Sequence, residues 1–454
     1  MIISMANDEK VLAEPVAAAP QPLKISLDTG LLVLMFTMAL WYIRYVTPAN
    51  RVADLWLHID AMAVILLVAA YLCVEFFMGD ARRRHAAKMA ILGVLITIVV
   101  IIPMGFSIYG RYVAGPSHRI MDSAVQTEEA VKMVLRGQNP YSHTYFKTPM
   151  AQVPGVTKGG LEHYVYLPMT FIMPLPGYLL FHYTVGYFDL RFVYVPMFFL
   201  LLWALYRLAP SREYGRALLI VFGLNPDVAF YFVAGSNEVA AMTGLVLSFL
   251  CLTKRRYAWS AVFFGISLLS KQFMLLVLPF YLLYLAGQHV KDGGWVRGPD
   301  GKLTPLATAV IVLGIMVLVF AVPFFLWSPA HFINDIVKYP NGLTKNGAHI
   351  DGWTASAIAL HMGLVKNAGS HFPSQIFYIV FLAPLMALLL WWQRKRNTLQ
   401  VVMLAAAITT LVFIVFSYFT HNNYFYYAIS FFFLAWLAFG EAPAPDDIID
   451  KRNT

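Results

Sequence analysis

The chain has 454 residues, of which 59% are hydrophobic and only 13% charged. A soluble domain of this length does not carry that balance, so the chain reads as a polytopic membrane protein. Its formal net charge of +9 is no nucleic-acid signature, because the basic residues gather in short loops, as membrane orientation requires.

Residues 1–28 hold acids and several prolines ahead of the first apolar run. They are expected to form a disordered cytoplasmic tail. A cleaved signal peptide would instead place a basic patch directly before its apolar region. Apolar segments follow at about 29–46, 58–78, 88–108, 167–186, 192–206, 215–232, 239–253, 259–270, 272–287, 306–327, 372–392, 399–419 and 423–440. These are judged against the roughly 20 residues that a spanning helix needs. The expected fold is all-α, a polytopic transmembrane helical bundle of about 11–13 membrane segments with short helices in its external loops. Cys73 and Cys251 lie inside apolar segments and suggest neither a disulfide nor a metal site. Residues 288–305 read as a solvated cytoplasmic loop, and 441–454 as an acidic cytoplasmic tail containing proline.

Basic clusters sit at Arg82-Arg83-Arg84, Arg207/Arg212/Arg216, Lys254-Arg255-Arg256, Lys291/Arg297/Lys302 and Arg394-Lys395-Arg396. The positive-inside rule puts them in the cytoplasm, so the long loops 110–166 and 328–371 face outward. An odd number of crossings must then separate loop 110–166 from the cluster at 207–216, yet two segments lie between them. The stretch 167–186 carries Pro168, Pro174 and Pro176, and proline breaks the helical ladder. It is therefore expected to be re-entrant or surface-lying. Were it to span, with 259–287 as a single crossing, the turn at 225–238 would face inward, across the membrane from Asp122. Stretch 259–287 is too long for one crossing and short for two. A hairpin or broken pair there places Lys271 partway into the membrane, facing a cavity.

The polar loop 110–166 holds the first candidate residues. Ser123 to Gln126 fits a capping box with Ser123 as N-cap, and puts Asp122 just before a short helix. Asp122 reads either as a dipole-complementing acid or as a general base at the membrane face. Gly137 suits a left-handed helix stop, and the run Gly137-Gln-Asn-Pro-Tyr141 follows. His118 reads as a surface residue. Further on, Leu224-Asn-Pro-Asp227 breaks a helix and Gly235-Ser-Asn-Glu238 opens the next. Glu238 is either a second helix-opening acid or a functional one, since it begins an apolar segment. Asp227 reads as a turn residue. Lys271, between Leu268, Leu269, Phe273 and Met274, either snorkels or binds phosphate as a flexible point charge. His349-x-Asp351 is a weak metal pattern. The stretch from Ser417 to Tyr427 combines polar His421 and Asn422 with tyrosines, as either a helix-mouth contact or an interfacial belt.

In their order, Asp122, Gly137-Gln-Asn-Pro-Tyr141, Tyr166-Leu-Pro168, Gly235-Ser-Asn-Glu238, Lys271 and His421 resemble the GT-C membrane glycosyltransferases. The likeness is nearest to the mannosyltransferase-like family 87. It covers roughly residues 88–440. Segments within 29–87 look like an added N-terminal hairpin. Glu238 stands where that family commonly shows Asp, and Gly265 to Lys271 matches its Gly-x-x-x-x-x-Lys pattern. The resemblance implies an external active site that moves a hexose, mannose above all, from a polyprenyl-phosphate donor to a lipid or glycan acceptor, with inversion. It implies Asp122 and Glu238 as catalytic residues. Lys271, His421, Tyr141, Asn139, Tyr166, Asn237 and Asn422 are the implied substrate contacts. No spacing demands a metal, and a divalent cation bridging carboxylates and phosphate is left open. The implied place is a cell membrane, with both termini cytoplasmic. Two rivals remain: a lipid-linked-sugar flippase, and a ligase or polymerase acting on polyprenyl pyrophosphate.

Overall fold

The computed structural model describes residues 25–46, 55–288 and 294–440. The tails expected at 1–28 and 441–454 lie outside these residues, apart from 25–28, as does part of loop 288–305. Among the described residues every regular element is helical, and the sole strand-like feature is an antiparallel bridge between Arg297 and Leu303. The chain is thus all-α. The helices are Leu27–Val46 (α1), Leu55–Phe77 (α2), Ala81–Ala114 (α3), Asp122–Leu135 (α4), Leu175–Val185 (α5), Arg191–Leu208 (α6), Arg212–Gly223 (α7) and Pro226–Val233 (α8). Then come Glu238–Thr253 (α9), Tyr257–Leu268 (α10), Met274–Gly287 (α11), Pro305–Trp327 (α12), Ser374–Lys395 (α13), Leu399–Phe416 (α14) and Asn422–Phe433 (α15).

Among the described residues six helices are long and apolar enough to cross a membrane: His58–Phe77 within α2, and α3, α6, α12, α13 and α14. The bent pair α7–α8 is a seventh if it is one span. Helices α9, α10 and α11 are apolar but shorter. This is a multi-pass membrane protein, with fewer helices of full spanning length than the segments read from hydropathy. The 52° bend between α7 and α8 has a local cause. Pro226 lacks the N–H that would continue α7, and the Asn225 side chain caps the next helix by accepting from Asp227 N at 3.0 Å. The prolines of 167–186 act similarly, leaving only Met169–Ile172 and α5, neither of which is long enough to cross. Between α10 and α11 the helix breaks at 269–273, with Lys271 in the break.

Helix α9 is the axis of the bundle. It is apolar on all sides and buried along nearly its whole length, as a helix packed all round must be. Ala240, Gly244 and Ser248 recur every four residues, the small-residue spacing that lets helices approach closely. Helix α10 uses that approach. A Cβ on Gly244 would lie 2.9 Å from Phe263 O and 3.0 Å from Ser267 N. Ser267 Oγ donates to Ala241 O at 2.5 Å, and Ser248 and Ser260 hydroxyls pair at 2.9 Å.

The N-terminal helices are fastened by charge. Asp28 is fully buried and accepts from Lys88 Nζ at 3.0 Å and Arg216 Nε at 2.6 Å. Tyr71 also donates to Asp28, and Glu75 pairs with Lys88. The cluster joins α1, α2, α3 and α7. Hydropathy alone gives no sign of it, because each charge stands singly at a segment end.

Gly244→Leu is expected to force α10 off α9 and to destabilise the protein by about 1–3 kcal/mol or more, the usual cost of overpacking. A lowered apparent Tm in detergent would register it; an unchanged Tm would contradict the close α9–α10 approach.

Candidate active site

Several chain segments meet at one end of the bundle. Helix α4 brings Asp122, the stretch 163–168 brings Tyr166, α9 begins with Glu238, the α10–α11 break brings Lys271, and α15 follows His421. Local bonds hold them together. Met169 N donates to Leu269 O at 3.0 Å, and Gln272 Nε2 donates to Val165 O at 2.7 Å. Met121 N donates to Ala234 O at 2.8 Å.

Asp122 differs from the expectation in a small but useful way. It is the first residue of α4, and Met121 is the N-cap, with no side-chain cap. The Ser123 capping box does not form: Ser123 Oγ is buried without a partner, and Gln126 Nε2 instead donates to Gly160 O and His163 O. Asp122 Oδ1 accepts from Ser123 N at 2.7 Å, and the carboxylate is exposed, with no side-chain partner. At the other end of α4, Gly137 has φ +69°, the left-handed stop read from the sequence.

A buried chain of four charges, Glu128–Arg111–Asp189–Arg191, fixes α4 to its neighbours. Arg111 donates to Glu128 at 2.6 and 2.8 Å and to Asp189 at 2.9 Å, and Arg191 donates to Asp189 at 2.8 Å. Arg191 also donates to Arg119 O and Val233 O, tying in the loop before Asp122 and the end of α8. Burial raises the Glu128 carboxyl above its usual range despite Arg111. Burial would also raise Asp189, but Arg191 and Arg111 outweigh it and hold that carboxyl low.

Glu238 is the opposite of Asp122. It is only 6% exposed. Its Oε1 accepts from Lys271 Nζ and from Asn423 Nδ2, both at 2.9 Å, and Oε2 accepts from Ser236 Oγ. The carboxylate expected to assist as a base therefore has both oxygens engaged. Among the described residues Glu238 is the one hydrogen-bonding partner of the Lys271 ammonium, so two of its three donors meet no acceptor there. Its ammonium also stands 5.0 Å from the centre of the Tyr166 ring, a cation–π distance.

The other expected contacts divide into two groups. Tyr166 is half-buried, His421 and Asn422 are exposed, and the His421 ring stands 5.6 Å from that of Tyr424. Asn139 and Tyr141 are buried behind this surface. Asn139 Oδ1 accepts from Tyr141 N at 3.1 Å, and Tyr141 OH donates to Tyr166 O at 2.7 Å, so the pair supports Tyr166 from within. Asn237 is buried, with neither amide atom partnered.

The sequence gives no role to Asn423 or to the four buried charges, and reads Ser236 and Tyr424 only as parts of their motifs. Asn423 adjoins the Asn422 singled out above. Its helical face, shared with Tyr427 four residues on, was the available signal. Asp189 just ahead of the apolar α6 and Arg191 at its first position are a second. Asp227 lies in the first turn of α8 and, with Phe198, Phe232, Val239 and Tyr426, lines a mainly apolar cleft beside Glu238. Among the described residues no group of three or more His, Cys, Asp or Glu is arranged to hold a metal ion.

Residues 130–287 match the family model described as alpha-(1->6)-mannopyranosyltransferase, N-terminal domain. That match fits the likeness to the GT-C family 87 mannosyltransferase-like group. It takes in Asn139, Tyr141, Tyr166, Asn237, Glu238 and Lys271, and lies between Asp122 and His421. No curated protein and no solved structure matches.

Lys271→Met is expected to strand the buried Glu238 carboxylate and to destabilise by about 3–5 kcal/mol. Adding Glu238→Gln removes that charge and is expected to restore most of the lost Tm. A single variant as stable as the parent would contradict the ion pair.

Proposed function

We propose that this protein is a membrane mannosyltransferase that moves mannose from a polyprenyl-phosphate donor to a hydroxyl of a lipid or glycan acceptor. The observation that carries this reading is the pairing of an open carboxylate, Asp122, with a lysine whose charge is held by Glu238 but most of whose donors meet no acceptor among the described residues. The acceptor hydroxyl gives its proton to Asp122 as its oxygen attacks the anomeric carbon. The bond from that carbon to the phosphate oxygen breaks, and the electron pair leaves with polyprenyl phosphate. Lys271 stabilises the charge that develops on the leaving phosphate. Attack opposite the leaving group inverts the anomeric centre. Glu238 acts through Lys271, as a positioning residue, because its own oxygens are occupied. Tyr166, Tyr424 and His421 offer flat faces with polar tips, which suits a pyranose ring.

Two further observations support the reading. The match to a mannopyranosyltransferase model supports glycosyl transfer. Lys254 and Arg255 follow α9, at the far end from Glu238, and Arg207 closes α6, at the far end from Arg191. The positive-inside rule then favours an external site with cytoplasmic termini. Within this reading, 88–440 is the catalytic core and 29–87 an added hairpin.

Proteoliposomes given polyprenyl-phosphate mannose and a panel of acceptors are expected to release polyprenyl monophosphate. Asp122→Asn is expected to slow release about a hundredfold or more, the scale of a lost general base. No release with any acceptor while a polyprenyl-pyrophosphate-linked sugar is turned over instead, or labelled lipid crossing the bilayer with no release, would overturn the reading.

A further inference from the structure

Residues 328–371 share a small apolar core with their neighbours: Tyr339, Ala348, Ile350 and Ala357 pack with Phe372 and Tyr418, apart from the main cluster. Such a unit needs specific contacts to register it on the bundle. Along one edge it meets the last turn. Ser356 Oγ donates to Tyr418 O at 2.7 Å and Thr420 N donates to Asp351 O at 3.1 Å. Gly352 has φ +77°, and a Cβ there would meet Thr420 O at 2.0 Å, so segment and turn touch backbone to backbone.

Along the other edge the segment meets the stretch that ends in Tyr166. Asp335 is 1% exposed. Its Oδ1 lies 2.6 Å from His163 Nδ1, and its Oδ2 accepts from Tyr164 N at 2.9 Å. The Tyr339 ring lies 4.9 Å from the His163 ring. Asn346 Nδ2 donates to Glu162 Oε2 at 2.7 Å, and Gly159 packs under Asn346 O, where no side chain would fit. The joint is dry enough that burial raises the Asp335 carboxyl despite His163. A short hydrogen bond to a carboxylate in such a place is among the stronger polar contacts a fold can make. The segment is therefore fastened both to the stretch that ends in Tyr166 and to the turn that ends in His421.

We infer that His163 and Asp335 are positioning residues that hold this segment against the stretch leading to Tyr166 and so set how tightly the sugar substrate is enclosed. The imidazole and carboxylate do not touch the reacting atoms. Their effect falls on substrate affinity, with the chemical step left to Asp122 and Lys271. The inference rests on the transferase reading for its kinetic consequence, and on the fold alone for its structural one.

The test uses the full chain, with Cys73 and Cys251 replaced by Ala and spin labels on Lys158→Cys and Lys345→Cys, both exposed. Dipolar distance distributions are expected to be narrow with His163 and Asp335 present, and longer and broader in Asp335→Ala. His163→Gln, whose amide can still donate to Asp335, is expected to keep the narrow distribution, which separates loss of the clasp from misfolding. In turnover assays of label-free protein, Asp335→Ala is expected to raise KM for the lipid-linked sugar about tenfold, the worth of one charge-assisted hydrogen bond, with kcat nearly unchanged. An unchanged distance distribution in Asp335→Ala would overturn the clasp. A fall in kcat at constant KM would overturn the positioning role. A parent protein with no turnover on any lipid-linked sugar would sink the transferase reading while the distances still judged the clasp.

Discussion

A carboxylate cannot stay charged in a dry interior unless other groups come to it, and Glu238 makes several segments do so. Lys271 arrives from the α10–α11 break, Asn423 from the first turn of α15, and Ser236 from the turn just before. Lys271 and Asn423 lie 33 and 185 residues from Glu238 in the chain. Without the buried charge at the head of α9, neither has a local reason to converge there. The close packing of α10 on Gly244 brings the break to the same height. Packing and charge thus specify one point in the bundle. A buried pair of this kind contributes more to fixing an arrangement than to net stability.

The buried chain of Glu128, Arg111, Asp189 and Arg191 does the corresponding work for Asp122. It sets α4 against α3 and α6, while Arg191 holds the backbone on both sides of the Met121–Ala234 bond. Two acids of similar chemistry thereby acquire different capacities. Glu238 is enclosed and saturated, whereas Asp122 is exposed and has no side-chain partner. A group that must exchange a proton with a substrate needs the second environment, and a group that must hold a lysine needs the first.

The sequence makes much of this legible, for identifiable reasons. Long apolar runs, the proline-laden 167–186, the Asn-Pro break before Asp227 and the Gly137 stop all follow from local chemistry, and the helices begin and end close to them. Lys271 stood out because a lysine inside an apolar stretch needs a partner. The partner itself was not legible. Glu238 is 33 residues away, and each residue viewed singly suggested a role of its own. Asn423 was missed beside Asn422 because one step along a helix turns the side chain by about 100°. The Ser123 box failed because tertiary packing buried that hydroxyl and drew Gln126 toward His163 O.

The central claim is that Lys271, held by Glu238, receives the phosphate of a prenyl lipid. The most direct measurement is 31P NMR of a short-chain prenyl phosphate titrated into purified protein in detergent. We expect a saturable shift of the phosphorus resonance with the parent protein and with Asp122→Asn. We expect that shift to vanish in Lys271→Met/Glu238→Gln, in which the buried charges are removed together. An undiminished shift in that double variant would contradict the account and would put the phosphate elsewhere.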